Sequence, residues 1–390
     1  MRPRIGLDAR FVVRNRRGIG NYSLELIRAF AKQPRGFDYF LFTDGPDPEG
    51  LLPTAAPFHQ IQLGLTPYPL WEQLSLPLAC GKYRIDLLHC LGMTAPFLLP
   101  PDTKLVSSIH DVIYMLPKDQ FGSGNTPYQA AGRVYRKLII PSVARHASHI
   151  ITISEFSRSE IQKYIPGVRE SDITVTPLAA STSFLELLAS TMGVEAPATP
   201  YLLHLGAADP RKNTRAVIQS FLETRESLRP DVGELVIAGL DPKYFLQIVH
   251  SLPQSLWADA DRYVRLPGFV SESELVALYR GAKGLLFPSK FEGFGIPILE
   301  AMHSGVPVIT ASVTSLPEVA GGAAILVDPE SVSSLSKALL DLIHIPGASE
   351  HYAAAGLARA ASFTWDRTAA LTLDVYEAVL GLRQEPGRRP

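Results

Sequence analysis

Two glutamates, Glu292 and Glu300, stand eight positions apart in PSKFEGFGIPILEAMHSGVPVI (residues 288–309), around a Gly293-Phe294-Gly295 turn. The apolar run GLLFPS reads as a strand and KFEGFG as a loop, and Pro297 suits the first turn of a helix, where its missing N–H costs nothing. Glycine N–H groups and a helix N-terminus brought to one spot at the carboxyl end of a strand favour a phosphate or a carboxylate. Glutamates there would repel such an anion unless they bind hydroxyl groups, since a carboxylate accepts two hydrogen bonds and can grip a vicinal diol. A ligand both polyhydroxylated and anionic satisfies both halves, and a nucleotide sugar is such a ligand. Taken alone, the pair fits a solvated loop glutamate and a first-turn dipole partner about equally well.

A second constellation is LHLGAADPRKNTRAV (residues 203–217), where a strand ends at Gly206 and a helix begins near Asn213 or Thr214. Arg211 and Lys212 then lie on the loop at the carboxyl end of that strand. Two fixed cations beside a glycine turn can neutralise a diphosphate and, in a group transfer, stabilise the charge that builds on a departing diphosphate. Earlier in the chain, DARFVVRNRRGIGNYSLEL puts Gly18 and Gly20 between a strand and a helix, and VSSIHDVIYMLP ends a strand at His110-Asp111. GIGNYS is no dinucleotide fingerprint, because Ser23 takes the third glycine position, and the chain has no GxxxxGK[ST] phosphate loop. The DAD of residues 259–261 imitates a metal-binding DxD without supporting ligands. In SEFSRSEI, Ser157 and Glu160 have capping-box spacing and mark a helix start.

These loops need a scaffold, and the chain supplies one twice. Short apolar runs alternate with amphipathic stretches through residues 1–180, and again through 200–363, which indicates parallel sheets covered by helices, an α/β class. Residues 181–199 lose the rhythm and end in small residues and prolines, so they read as a linker. A last helical pattern runs from Thr364 to about Leu382 within a 364–390 segment, before the polar tail RQEPGRRP. With 390 residues, 46% of them hydrophobic, and a formal net charge of -1, the chain fits a globular protein of two domains without the basic field of a nucleic-acid binder. Neither a signal peptide nor an apolar membrane span is evident, and two cysteines, Cys80 and Cys90, make no disulfide framework. Buried thiols and a cytoplasmic location are the expectation.

The segment GFVSESELVALYRGAKGLLFPSKFEGFGIPILEAMHSGVPVITASVTSLPEVAGGAAILVDP (residues 268–329) resembles the GT4 retaining glycosyltransferases. GAADPRKN, IHDVIYMLP, ITISEFSRSEI and the GIGNY loop extend the likeness over nearly the whole chain. The resemblance implies a GT-B fold: two Rossmann-like domains with a cleft between them, the second holding the nucleotide sugar, the first the acceptor, and a C-terminal helix crossing back to the first. By the same resemblance Glu300 holds the ribose and Glu292 the donor sugar, with Gly293, Phe294, Gly295 and Ile296 around the sugar and phosphates. Arg211 and Lys212, beside Gly206, bind the diphosphate, Phe269 and Val270 lie against the base, Gly18 and Gly20 approach the diphosphate, and His110 stands near the reacting carbon. Catalysis is thereby assigned to His110, Arg211, Lys212 and Glu292, in a front-face mechanism with no metal and no cofactor. The likeness is strongest to bacterial mannosyltransferases of polysaccharide assembly, which implies GDP-mannose as donor and a glycan or lipid-linked glycan as acceptor. Other nucleotide sugars such as UDP-glucose stay open, as do a GT-B epimerase or phosphorylase and a non-catalytic nucleotide-sugar-binding protein. The basic stretches of residues 14–18 and 132–147 could meet anionic lipid at the cytoplasmic face of a membrane or be solvated surfaces.

Overall fold

The computed structural model describes residues 2–14, 18–64, 67–115, 127–191 and 199–382. It divides into two compact units: the described residues up to Leu178 together with those from Thr364 onward, and Ala179–Phe363. In the first, β1 (Arg4–Asp8), β2 (Asp38–Thr43), β3 (Phe58–Gln62), β4 (Leu87–Cys90), β5 (Lys104–Ser108), β6 (His149–Thr152) and β7 (Ile173–Val175) form one parallel sheet. Its order is β3-β2-β1-β4-β5-β6-β7. In the second, β8 (Tyr201–Leu205), β9 (Glu234–Ala238), β10 (Val264–Gly268), β11 (Ala282–Phe287), β12 (Val308–Ala311) and β13 (Ile325–Val327) are also all parallel, in the order β10-β9-β8-β11-β12-β13. Each sheet reverses its direction of growth once, between β1 and β4 and between β8 and β11. In an open α/β sheet, ligands bind beyond the carboxyl ends of the strands at such a switch point.

The central strands are buried along most of their length because helices cover both faces of a parallel sheet; all four residues of β4 are buried, the polar His89 among them. In the second unit, Val217, Phe221 and Leu228 of the helix Thr214–Leu228 meet Leu335, Leu339 and Leu342 of the helix Val332–His344 over Leu202, Leu235 and Leu286 of the sheet. The apolar stripe at three- and four-residue spacing is what seats such a helix.

The helical pattern after Thr364 forms the helix Trp365–Val379, capped by the Thr364 side chain accepting from the Arg367 N–H, and it packs on the helix Gly18–Lys32 of the first unit. Tyr376 reaches the first unit's core, where its hydroxyl lies 2.6 Å from His89 Nδ1. The Thr368 hydroxyl donates to the Pro177 carbonyl (2.5 Å), and Gln33 Nε2 donates to the Asp366 carbonyl (2.7 Å). Cys80 and Cys90 are buried free thiols, as expected, and burial pushes the Cys80 thiol up to about 12.

Four expectations need correction. The segment read as a linker contains the helix Thr182–Ser190, capped by Ser181 and part of the second unit, with Phe184 buried edge-on against Tyr279. Its apolar FLELL core seats it there, and the small residues and prolines that suggested a linker lie C-terminal to it. The helix Glu155–Tyr164 is capped by Ser154, whose oxygen accepts from the Ser157 N–H, so Ser157 is the third helical residue and not the cap. Gly18 and Gly20 lie inside the first turn of the helix Gly18–Lys32 and not before it. The edge strand β3 and the helical run Tyr68–Tyr83 were absent from the sequence pattern. The tail of residues 383–390 and most of the basic run at 14–18 lie outside the described residues.

Candidate active site

The loops after β8 and β11 flank the switch point of the second sheet, and they carry Arg211 and Lys212 on one side and Glu292 on the other. Lys212 Nζ donates to Glu292 Oε1 at 2.8 Å, with both side chains partly exposed. Lys212 also lies over the Phe287 ring, 5.0 Å from its centroid. Arg211 is held bidentately by Asp209, Nε to Oδ1 at 3.0 Å and Nη2 to Oδ2 at 2.5 Å. Burial pushes the Asp209 carboxyl up, but the hydrogen bonds and charge of Arg211 outweigh it and hold the group below the usual carboxylate range.

Asn213 fixes the cationic loop in place. Its backbone is left-handed (φ 58°), and its Nδ2 donates to the carbonyls of Pro288 (3.1 Å) and Pro329 (2.7 Å). The Lys290 N–H donates to the Arg211 carbonyl at 2.8 Å, a direct clip between the two loops. Below them, His204 donates from Nδ1 to the Leu286 carbonyl (2.8 Å), which leaves Nε2 to accept from the Thr214 hydroxyl (3.0 Å). Burial pushes this ring down to about 4, so it is a neutral strut between β8, β11 and the helix behind the cations.

The glycine loop ends at Gly295, the residue before the helix Ile296–His303, with Pro297 in its first turn as the sequence suggested. Gly295 has φ 115°, and a Cβ there would come 2.9 Å from Leu316 Cδ2, so both conformation and space call for glycine. The Ser315 hydroxyl lies 3.0 Å from the Glu292 carbonyl and 2.8 Å from that of Phe294 and pins the loop. Phe294 is buried, edge-on to Phe363.

Glu300 lies one turn into that helix. Its Oε2 accepts from the Tyr279 hydroxyl at 2.9 Å. Burial raises its carboxyl to about 7, against the pull of that hydrogen bond and with a small push from Glu272. Tyr279, on the helix Glu272–Gly281, is thus a partner that the sequence pattern did not disclose. Gly206 closes β8, where a Cβ would meet Ile237 Cγ2 at 2.4 Å. Its N–H donates to the Ala238 carbonyl, and the Gly239 N–H donates in turn to the Gly268 carbonyl (2.7 Å). The ends of β8, β9 and β10 therefore present bare backbone, beyond which Phe269 is 89% exposed and Val270 half-buried.

In the first unit His110 follows β5, buried, with Nε2 donating to the Leu91 carbonyl (3.2 Å) and the Tyr22 ring edge-on at 4.5 Å. A carbonyl only accepts, so Nε2 carries the proton and Nδ1 keeps its lone pair. Burial pushes the ring down to about 4 and keeps it neutral. Beyond β1 lies a cluster the sequence reading missed: buried Arg10 sends Nη2 to Asp8 Oδ2 (2.9 Å) and Glu72 Oε2 (2.8 Å) and packs against the Tyr68 and Trp71 rings. Glu72 also accepts from the hydroxyls of Thr94 (2.6 Å) and Tyr135 (2.7 Å). Asp259 of the DAD sequence pairs with Arg225 at 2.9 Å, a contact within the fold.

Two doubly wound parallel sheets, the second with cations and carboxylates meeting at its switch point, agree with what the family models find. The model for glycosyl transferases group 1 matches residues 194–359, and that for Glycosyltransferase Family 4 matches residues 16–184. The chain belongs to the GT4 glycosyltransferases and has the GT-B fold. It is 30% identical over 385 residues to the O-antigen chain mannosyltransferase B of Escherichia coli, covering 92% of this chain and 96% of that one. It is 26% identical, over 72% of its length, to the serotype-specific mannosyltransferase WbdA of Escherichia coli, of which it spans about a third. Among solved structures, the sucrose-phosphate synthase of Thermosynechococcus elongatus superposes with a TM-score of 0.69 at 18% identity, covering 98% of this chain and all of the other. Among the described residues no helix is long and apolar enough to cross a membrane.

Proposed function

We propose that this glycosyltransferase moves a hexosyl group, mannose from GDP-mannose, to a glycan or lipid-linked glycan, with retention of anomeric configuration and without a metal. The observation that carries the reading is the meeting of Lys212 and Glu292 at 2.8 Å across the β8/β11 switch point, beside the glycine loop that opens the helix Ile296–His303. In this reading the donor's diphosphate takes Lys212 from Glu292, and Glu292 turns its oxygens to the sugar hydroxyls while Glu300 accepts from the ribose. As the bond from the anomeric carbon to the diphosphate breaks, its electron pair goes to the leaving oxygen. Arg211, Lys212 and the loop amides stabilise that charge. The same oxygen takes the acceptor's proton while the acceptor attacks from the face the diphosphate leaves. His110, neutral and fixed by the Leu91 carbonyl, offers a lone pair to the donor sugar and not a positive charge. Phe269 and Val270 meet the base, and Gly18 and Gly20 the diphosphate. The mannosyl donor rests on the relative named for that transfer over nearly its full length. A cytoplasmic location with peripheral contact to an anionic membrane belongs to the same reading.

The test is to incubate purified protein with GDP-mannose, UDP-glucose and other nucleotide sugars, follow release of the nucleoside diphosphate, and determine the product anomer by NMR. Release from GDP-mannose, undiminished by a chelator, is expected. Release only from a uridine donor would transfer the reading to a UDP-sugar enzyme, and recovery of an epimerised donor would end it.

A further inference from the structure

Four buried polar side chains of the first unit, Tyr22, His89, Ser108 and Tyr376, form a hydrogen-bonded row, each of them 3% exposed or less. They come from four elements: the helix Gly18–Lys32, β4, β5 and the helix Trp365–Val379. The Tyr376 hydroxyl lies 2.6 Å from His89 Nδ1, Ser108 Oγ lies 2.8 Å from His89 Nε2, and the Tyr22 hydroxyl lies 2.9 Å from the same Ser108 oxygen. Sheet register explains the meeting. His89 pairs with Val106 of the neighbouring strand, so His89, Val106 and Ser108 point to one face.

Burial pushes the His89 ring down to about 3, with a further push from His110, so the imidazole is neutral. With a donor on one side and an acceptor on the other, it lets all three contacts run in a single direction: Tyr22 to Ser108, Ser108 to Nε2 and Nδ1 to Tyr376, or the reverse. Bonds aligned in this way polarise one another, and loss of one group disturbs its neighbours. Apolar side chains of the same shape would fill this core without the cost of burying four polar groups. What the row adds lies at its end. The Tyr22 ring stands edge-on to His110 with 4.5 Å between centroids, and Ser108 closes β5 two residues before His110. The Leu91 carbonyl fixes His110 at one atom, Nε2, and the anchored Tyr22 ring fixes the plane of the imidazole.

We propose that Tyr22 is a positioning residue for sugar transfer, anchored through Ser108 and His89 to Tyr376, and that this row sets the plane in which His110 presents Nδ1 to the donor sugar. The last helix is thereby part of the transfer apparatus as well as of the first unit's core. The proposal rests on the reading that His110 meets the donor, and goes beyond it by assigning what aims the ring.

Tyr22→Phe, Ser108→Ala and Tyr376→Phe each remove one hydroxyl and keep the surrounding packing. With the nucleotide sugar that the release assay selects, each should lower kcat by about tenfold, within the roughly hundredfold that a misplacement of about 1 Å can cost. KM for the donor should stay within about twofold of the parent's. The Tyr22→Phe/Tyr376→Phe double variant should lose no more than the more impaired single, because both ends act through one row. Thr368→Val, on the same helix, also deletes a buried hydroxyl, the one that bonds the Pro177 carbonyl, and should melt lower while keeping the parent's kcat. Imidazole nitrogen NMR of the ligand-free protein reads the ring without turnover: the His110 signals should shift or broaden in the three row variants and stay in place in Thr368→Val. The proposal is overturned if the row variants keep the parent's kcat while His110→Ala loses it, or if the losses at Tyr22 and Tyr376 multiply. It is equally overturned if Thr368→Val slows transfer as far as Tyr376→Phe does, or if the His110 signals are unmoved in all three row variants. Full activity in His110→Ala would overturn the reading of His110 and the row's purpose together, a result distinct from failure of the row alone.

Discussion

Lys212 and Glu292 neutralise each other without a ligand, so neither is left as an isolated charge, and a diphosphate has to compete for the lysine. Such a pair, partly exposed, contributes little to stability, which leaves room for its members to be exchanged toward a ligand. Lys212→Ala should therefore lower turnover by about a hundredfold or more, the cost of losing one donor to developing charge, with thermal stability close to the parent's; steady-state kinetics and a melting curve check both. Glu300 makes a different prediction because its carboxyl titrates near neutrality, at about 7. The ionised form is the better acceptor for a diol, so affinity for GDP should rise between about pH 6 and 8, and Glu300→Gln should flatten that rise in calorimetric titrations. Stability runs the other way. The folded value lies above the unfolded value of roughly 4.3, so this group's contribution is complete below that pH and is lost as pH rises through 7. Relative to the Gln variant, the parent should lose melting temperature between about pH 4 and 7 and level off above.

The loop after β11 holds its shape through contacts that come from elsewhere in the second unit. Ser315 reaches two of its carbonyls, and Leu316 occupies the space that a side chain at Gly295 would need. Gly295→Ala should cost about 1–3 kcal/mol through its positive φ and misplace the loop amides. GDP affinity should fall with it, whereas Ser315→Ala, which leaves the left-handed turn intact, should show a smaller loss of about 1 kcal/mol. Denaturant unfolding and GDP titration of the two variants separate conformational strain from lost pinning; equal effects would mean the turn itself does not demand glycine.

The last helix is part of the first unit, although the chain completes the whole second unit before it forms. Leu373 and Tyr376 are fully buried there, and the Tyr376 hydroxyl is the partner of His89 Nδ1, whose ring burial pushes down to about 3. Each fully buried large apolar side chain is worth about 1.5–3 kcal/mol, and a domain's net stability is only about 5–15 kcal/mol. A chain ending at Phe363 should thus lose the cooperative unfolding of its first unit and keep that of its second. Calorimetry would show one transition surviving near its original temperature, and survival of both would mean that the helix contributes little.

Much of this arrangement was legible in residue order because its signals are local. Pro297 and Gly295 mark a helix start by backbone chemistry, alternating apolar runs mark buried parallel strands, and a strand followed by charged and glycine residues places those residues at a sheet's carboxyl edge. The edge strand β3 was missed because Phe58–Gln62 is polar at three of five positions, as a strand paired on one side only can be. The helix Thr182–Ser190 was overlooked because the prolines beyond it dominated the pattern. What pairing cannot be read locally came from topology. Lys212 and Glu292 lie 80 residues apart, and only the crossover that sets β11 beside β8 brings them to 2.8 Å. Tyr279 on Glu300, Arg10 with Glu72, and the row from Tyr376 through His89 and Ser108 to Tyr22 are likewise products of packing, since charge, burial and exposure depend on neighbours that the chain supplies from a distance.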